Sequence, residues 1–120
     1  IAEDVQRAWR LRRRADFERL KAHGKRWQHT LLTLSALPNG LPHNRYAFIV
    51  SKRLGNAVAR NRTRRRLREA VRRAILKQGY DIALIARANL ARQPYNMIVQ
   101  ALDELFRRAE LRGEQAESQS

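Results

Sequence analysis

The chain has 120 residues and a formal net charge of +15, from 26 Lys and Arg against 11 Asp and Glu, with 43% hydrophobic residues. That length suits one small domain with a single modest core, and that apolar fraction excludes a disordered basic tail. The absence of cysteine excludes disulfides and thiolate metal sites, no apolar run reaches the roughly 18 residues of a membrane helix, and charge of this size selects a polyanion, nucleic acid above all, as partner.

The arginine-rich start, RAWRLRRRADFERLK, resembles an organelle presequence in composition only. Asp16, Glu18 and a helix carrying Phe17 and Leu20 mark it as mature structure. ADFERLKAHG predicts a short helix with Asp16 as N-cap and Gly24 past its end. HTLLTLSAL, residues 29–37, predicts a buried strand ending at PNGLPHN, and RYAFIVS, residues 45–51, a second strand rich in aromatic and β-branched residues. Gly55 supplies the positive φ of a turn, and Asn56 is placed to cap a helix running to about Gln78 and stopping at Gly79. YDIALIA, residues 80–86, predicts another strand. A last helix begins near Pro94, with Met97, Ile98, Ala101, Leu102, Leu105, Phe106 and Ala109 as its apolar stripe. Residues 1–110 form one domain in this reading, and a polar, disordered tail begins at Leu111. The fold class is α+β, with helices layered against one sheet.

Charge falls in blocks. Residues 7–26 hold nine bases and two acids, residues 51–73 ten bases and one acid, and residues 103–120 five acids and three bases. The pattern predicts one basic surface built from two separated segments. At 100° per residue, Leu67, Val71, Ala74 and Ile75 share one arc of the central helix, while Arg62, Arg65, Glu69, Arg72 and Arg73 lie opposite and face water. Arg60 and Arg64 lie on the arc of Leu67 and Val71, one and two turns earlier. Unpaired arginines cannot enter an apolar core, so the first turns overhang it and these two line a groove. Cations at a helix N-terminus oppose its dipole unless an anion compensates, and a phosphate held by guanidinium forks is the natural one. Asn61 adds a donor and an acceptor for a sugar or a base edge.

VSKRLGNAVARNRTRRRLREAVRR, residues 50–73, resembles the signature of the bacterial ribonuclease P protein subunit, and the similarity extends over residues 9–109. The resemblance implies an α-β-β-β-α-β-α sandwich of ribosomal-protein type. Its left-handed crossover between parallel strands runs against the general rule. It also implies a protein cofactor that binds a catalytic RNA and the 5′ leader of precursor tRNA in the cytoplasm. The RNA, with Mg²⁺ bound mainly by it, removes the leader. By resemblance Arg60, Asn61, Arg62, Arg65, Arg66 and Arg68 contact the catalytic RNA, and Phe17, Lys52, Arg60 and Arg64 line the leader cleft. Such clefts often carry an aromatic residue on the first strand. Residues 30–37 have none, leaving Trp9 and Trp27 as substitutes.

Nothing in the residues suggests that the chain cuts RNA itself. Glu69 stands alone among arginines, where a salt bridge is its role. Asp103 and Glu104 have no acidic partner nearby, and His23, His29 and His43 lack metal-ligand spacing. Two alternatives remain beside the cofactor reading: a structural RNA-binding protein, and a self-sufficient nuclease, which the missing carboxylate cluster disfavours.

Overall fold

The computed structural model describes residues 9–113. Three helices, α1 (Arg14–His23), α2 (Ala57–Arg73) and α3 (Tyr95–Arg108), accompany four strands, β1 (Lys25–Gln28), β2 (Leu32–Pro38), β3 (Arg45–Val50) and β4 (Tyr80–Ala86). The order is α-β-β-β-α-β-α, and the strands lie β1-β2-β4-β3 in one sheet. β2 is antiparallel to β1 and β4, whereas β3 and β4 are parallel neighbours joined through α2.

Alternation along the strands separates two faces. Leu32, Leu34, Ala36, Ile82, Leu84, Ala86 and Val50 point to one face, where they meet Leu67, Ala70 and Val71 of α2 and Ile98, Ala101, Leu102, Leu105 and Phe106 of α3. Ala47 and Ala83 point to the other, where Leu20 and Phe17 of α1 pack with Leu11. The sheet is therefore a middle layer, with α2 and α3 on one side and α1 on the other.

Five expectations change. The strand predicted over 29–37 is the second arm of a hairpin whose first arm, β1, begins at Lys25. Its turn contains no Gly, Pro or Asn; the His29 ring nitrogen Nδ1 accepts the Leu31 N–H at 3.0 Å instead. Asp16 does not cap α1. Arg13 holds the N-cap position without a side-chain bond, and the Asp16 carboxylate turns to Arg19 and Arg45. Gly24 ends that helix in extended backbone, and is small because a Cβ there would sit 2.5 Å from the Leu20 carbonyl oxygen.

α2 stops at Arg73, short of Gln78, because tertiary partners take the backbone that would continue it. Gly113 N–H donates to Ile75 C=O at 2.7 Å, and Lys77 N–H donates to Leu111 C=O at 2.7 Å. The Asn44 amide donates to Lys77 C=O at 2.8 Å, with Asn44 only 1% exposed. Ile75, expected in the buried arc, is consequently 48% exposed. The same bonds move the start of the tail: Leu111 is buried in the core and Gly113 is tied to Ile75, so the domain reaches past residue 110. Residues 1–8 of the predicted domain and 114–120 of the predicted tail lie outside the described residues.

Candidate nucleic-acid interface

The turn that launches α2 behaves as its residues dictate. Gly55 takes φ +151°, and the Asn56 side chain accepts the Ala59 N–H at 2.9 Å, satisfying one of the open donors of the first turn. A short 3₁₀ turn, Lys52–Leu54, buries Leu54 beneath this entry and leaves Lys52 and Arg53 exposed. Thr63, Leu67, Ala70 and Val71 form the buried side of the helix, and the Thr63 hydroxyl donates to Ala59 C=O at 2.9 Å.

The arginines divide by environment. Asn61, Arg62 and Arg65 are exposed, while Arg60, Arg64, Arg66 and Arg68 are half-buried at the margins of the packed side. Arg64 donates to the Asn61 amide oxygen at 3.0 Å, which orders both without neutralising either. Arg68 lies over the Phe48 ring, 5.8 Å from its centroid. Burial, then the nearby charges of Arg10 and Arg64, pull its pKa below the ordinary guanidinium value. Arg66 differs from the others: it donates to the Gln93 carbonyl and so staples α2 to the 3₁₀ turn Ala88–Arg92 and the entry of α3. Burial, then the charge of Arg62, lowers its pKa. Toward the C-terminus the pattern changes. Glu69 is gripped by Arg72 and Arg73, each at 2.8 Å, the salt bridge expected for it. Among the described residues, Arg60, Arg62, Arg64, Arg65 and Arg68 have no ion-pair partner.

Phe17 belongs to the other face of the sheet, packed with Leu11, Leu20, Leu37, Ala47 and Ala83. The four residues assigned to the leader cleft thus straddle β3, which is the sheet's edge strand. Phe17 lies on the α1 side, Arg60 and Arg64 on the α2 side, and exposed Lys52 just beyond the strand's end. Small residues, Thr33, Ser35, Ala47 and Ala83, form a buried floor beneath α1 on that side, with half-buried Ile85 and with Ile49, at 39% exposure, at its margin. No aromatic side chain of β2 or β3 lines that floor. Tyr46 and Phe48 stack on the α2 side with centroids 6.3 Å apart, Trp27 packs against the main core, and Trp9 stacks on His43 at 5.7 Å.

One constellation had no signal beyond an acid inside an apolar strand. Asp81, 1% exposed, receives two bonds of 2.8 Å from Arg45, its partner in the parallel register, and one of 3.0 Å from the Asn39 amide. Arg45 also reaches Asp16 at 3.2 Å, and Arg19 bridges Asp16 and Asp81 at 3.1 and 3.6 Å. These acids raise the Arg45 pKa, the hydrogen bonds that Arg45 donates to Asp81 most of all. This network fixes α1 to the sheet.

Among the described residues no three His, Cys, Asp or Glu side chains converge as metal ligands, and no helix is long and apolar enough to cross a membrane. A mostly apolar groove of about 800 Å³ runs along the C-terminal half of α2, between Ala70, Ile75, Tyr95, Val99 and Phe106, at the end of the helix remote from Arg60.

The Ribonuclease P family model matches residues 5–110. The ribonuclease P protein component of Herpetosiphon aurantiacus is 38% identical over 109 residues, covering 89% of each chain. That of Dehalococcoides mccartyi is 49% identical over 82 residues, covering 68% of each. Among solved structures, the RNase P protein of Staphylococcus aureus superposes with a TM-score of 0.79 at 29% identity, covering 88% of this chain and 98% of that one. The RNase P protein of Thermotoga maritima gives 0.76 at 30% identity, covering 82% and 96%.

Proposed function

Because the chain belongs to the ribonuclease P protein family, whose work is tRNA 5′ processing, we propose that it is the protein cofactor of a ribonucleoprotein endoribonuclease and performs no bond cleavage of its own. The observation that carries this reading is the row of acid-free arginines on the first three turns of α2, rigidly presented by a capped helix whose other side is core. Neutral folding alone does not require such a row, and a phosphate backbone satisfies it.

In this proposal Arg62, Arg65 and Asn61 make the outer contacts to the catalytic RNA, with Arg60 and Arg68 at the margins. Arg66 contributes mainly by holding α2 against the turn before α3. The 5′ leader of precursor tRNA runs from the margin of α1 near Phe17 past exposed Ile49 and passes Lys52 at the strand end. Its phosphates then meet Arg60 and Arg64 beyond the β3 edge. Cations along this path hold the leader's backbone without reading sequence.

Mg²⁺ enters through the RNA. The carboxylates of Asp16, Asp81 and Glu69 are all engaged by guanidiniums, so they do not fit a resident metal site, and no step is assigned to this chain through the ion. The protein's contribution is electrostatic: it brings two polyanions together at Mg²⁺ concentrations too low to screen them unaided. The cytoplasm, where tRNA is made, is the corresponding location.

Cleavage of precursor tRNA at low Mg²⁺ tests the reading, comparing protein alone, a bacterial ribonuclease P RNA alone, and the mixture. Activity in the mixture only is expected. Cleavage by protein alone would overturn it, and tight RNA binding with no activity in any mixture would favour a structural RNA-binding role.

A further inference from the structure

Arg10 has no part in the surface described so far, yet the structure holds it beside that surface. Leu11 N–H donates to Tyr46 C=O at 2.8 Å and Tyr46 N–H donates to Trp9 C=O at 2.7 Å, so residues 9–11 run parallel to β3 as a short extra strand, with Arg10 opposite Tyr46. Residues paired across a sheet project to the same face. Leu11, the next residue, points to the α1 side and is buried with Ala47. Arg10 therefore points to the α2 side, the side of Tyr46 and Phe48. Arg68 rests over Phe48 on that same side, and Arg64 lies one turn earlier along α2.

We propose that Arg10, Arg64 and Arg68 form a single phosphate-binding site, floored by Tyr46 and Phe48, at which an RNA backbone crosses from α2 onto the sheet edge. The proposal rests on the RNA-binding reading above and extends it to a residue outside the arginine helix.

Two further observations support the site. Arg10 and Arg64 are the charges that, after burial, depress the Arg68 pKa, which places both close to it. Among the described residues Asp16 and Asp81 pair with Arg45, Glu18 with Arg14, Glu69 with Arg72 and Arg73, Asp103 with Arg112 and Glu104 with Arg108, and no acid pairs with Arg10, Arg64 or Arg68. Three like charges gathered on an aromatic floor repel one another, and a counter-ion with several acceptor oxygens relieves that repulsion. A phosphate diester, with two anionic oxygens, can accept from more than one guanidinium at once. The Phe48 ring holds the Arg68 guanidinium in place, so little of its freedom remains to be lost on binding.

The test has two arms. In the first, inorganic pyrophosphate is titrated at constant ionic strength while the Nε–H groups of the arginines are followed by NMR. The Arg10, Arg64 and Arg68 signals should move together with one saturating dissociation constant. Arg10→Ala, at an exposed side chain outside both cores, should raise that constant at the other two at least threefold, and Arg92→Ala should leave it unchanged. Independent or non-saturating shifts at the three arginines would overturn the site. In the second arm, binding to a bacterial ribonuclease P RNA is measured between 50 and 300 mM salt, values chosen to span the steep part of the roughly linear log–log dependence. Arg10→Ala should weaken binding and lower the magnitude of the slope by about 1, the loss of one phosphate contact. An unchanged affinity and slope would overturn the proposal as a site for RNA. If the parent protein fails to bind the RNA while pyrophosphate still saturates the three arginines, the RNA-binding reading falls and the anion site stands.

Discussion

Arg65 and Arg66 are adjacent in sequence and opposite in duty. Arg65 is exposed and unpaired among the described residues, whereas Arg66 is drawn in to the Gln93 carbonyl. Arg65→Ala should weaken binding to the catalytic RNA several-fold and leave the urea midpoint unchanged. Arg66→Ala should lower stability by about 1 kcal/mol, since a partly exposed charged donor is lost from a backbone acceptor. Binding and denaturation measured on both variants check the split, and equal midpoints would remove the stapling role. Arg60 sits at the margin toward Lys52, so Arg60→Ala should weaken leader-bearing precursor tRNA more than mature tRNA in complexes with the catalytic RNA. Equal losses for the two ligands would contradict a leader contact. Arg60 and Arg64 were legible from the helical wheel because their position depends only on the 100° period. The commitment of Arg66 was not, because its acceptor is a carbonyl 27 residues away with no side-chain signature.

At the scale of elements, α2 and α1 are secured by different devices. The C-terminal half of α2 carries the Glu69 clamp, and the hydrogen bonds of Arg72, then Arg73, hold the Glu69 pKa below the ordinary carboxylate range. A depressed carboxylate stabilises the fold above its unfolded value, and that contribution is lost as pH falls through the lower folded one. The parent protein should therefore lose more thermal stability between pH 6 and pH 3, bounds set around the ordinary pKa of about 4.3, than Glu69→Gln does. Parallel melting curves would refute the clamp. α1, by contrast, hangs on the buried Asp81–Arg45 pair and its extensions to Asp16 and Arg19. Asp81→Asn should destabilise by about 1.5–3 kcal/mol, because Arg45 loses a charged, buried acceptor while keeping Asp16. Urea unfolding measures this, and a loss under about 1 kcal/mol would show that Arg45 finds solvent instead. The start of α2 with its Asn56 cap and the start of α3 after Pro94 were legible because they are local. The hairpin turn at His29 and the end of α2 at Arg73 were not, since a ring nitrogen and a distant strand-like pairing with residues 111–113 decide them.

The whole molecule separates its charges. Sequence blocks announced a basic surface from two segments, and the structure joins them physically where Arg10 lies against β3 beside α2. What the blocks could not show is that the sheet edge is the seam, because strand order β1-β2-β4-β3 is a tertiary fact. Nor could they show that Phe17 approaches from the opposite face.

Among the described residues no acid pairs with the arginines on the first turns of α2, which leaves that end with an unbalanced field that extends about 8–10 Å into physiological salt. A diffusing particle of this kind is turned before it touches, so most of its collisions with a polyanion begin arginine-first. The benefit is one of traffic rather than of grip. Stopped-flow mixing with the RNA should show the association rate falling steeply as salt is added, while dissociation of the formed complex changes less. An association rate indifferent to salt would mean that the lopsided charge plays no part in the approach. A molecule with the same contacts and its acids scattered among the arginines would bind as a stranger, searching for the orientation that this one arrives with.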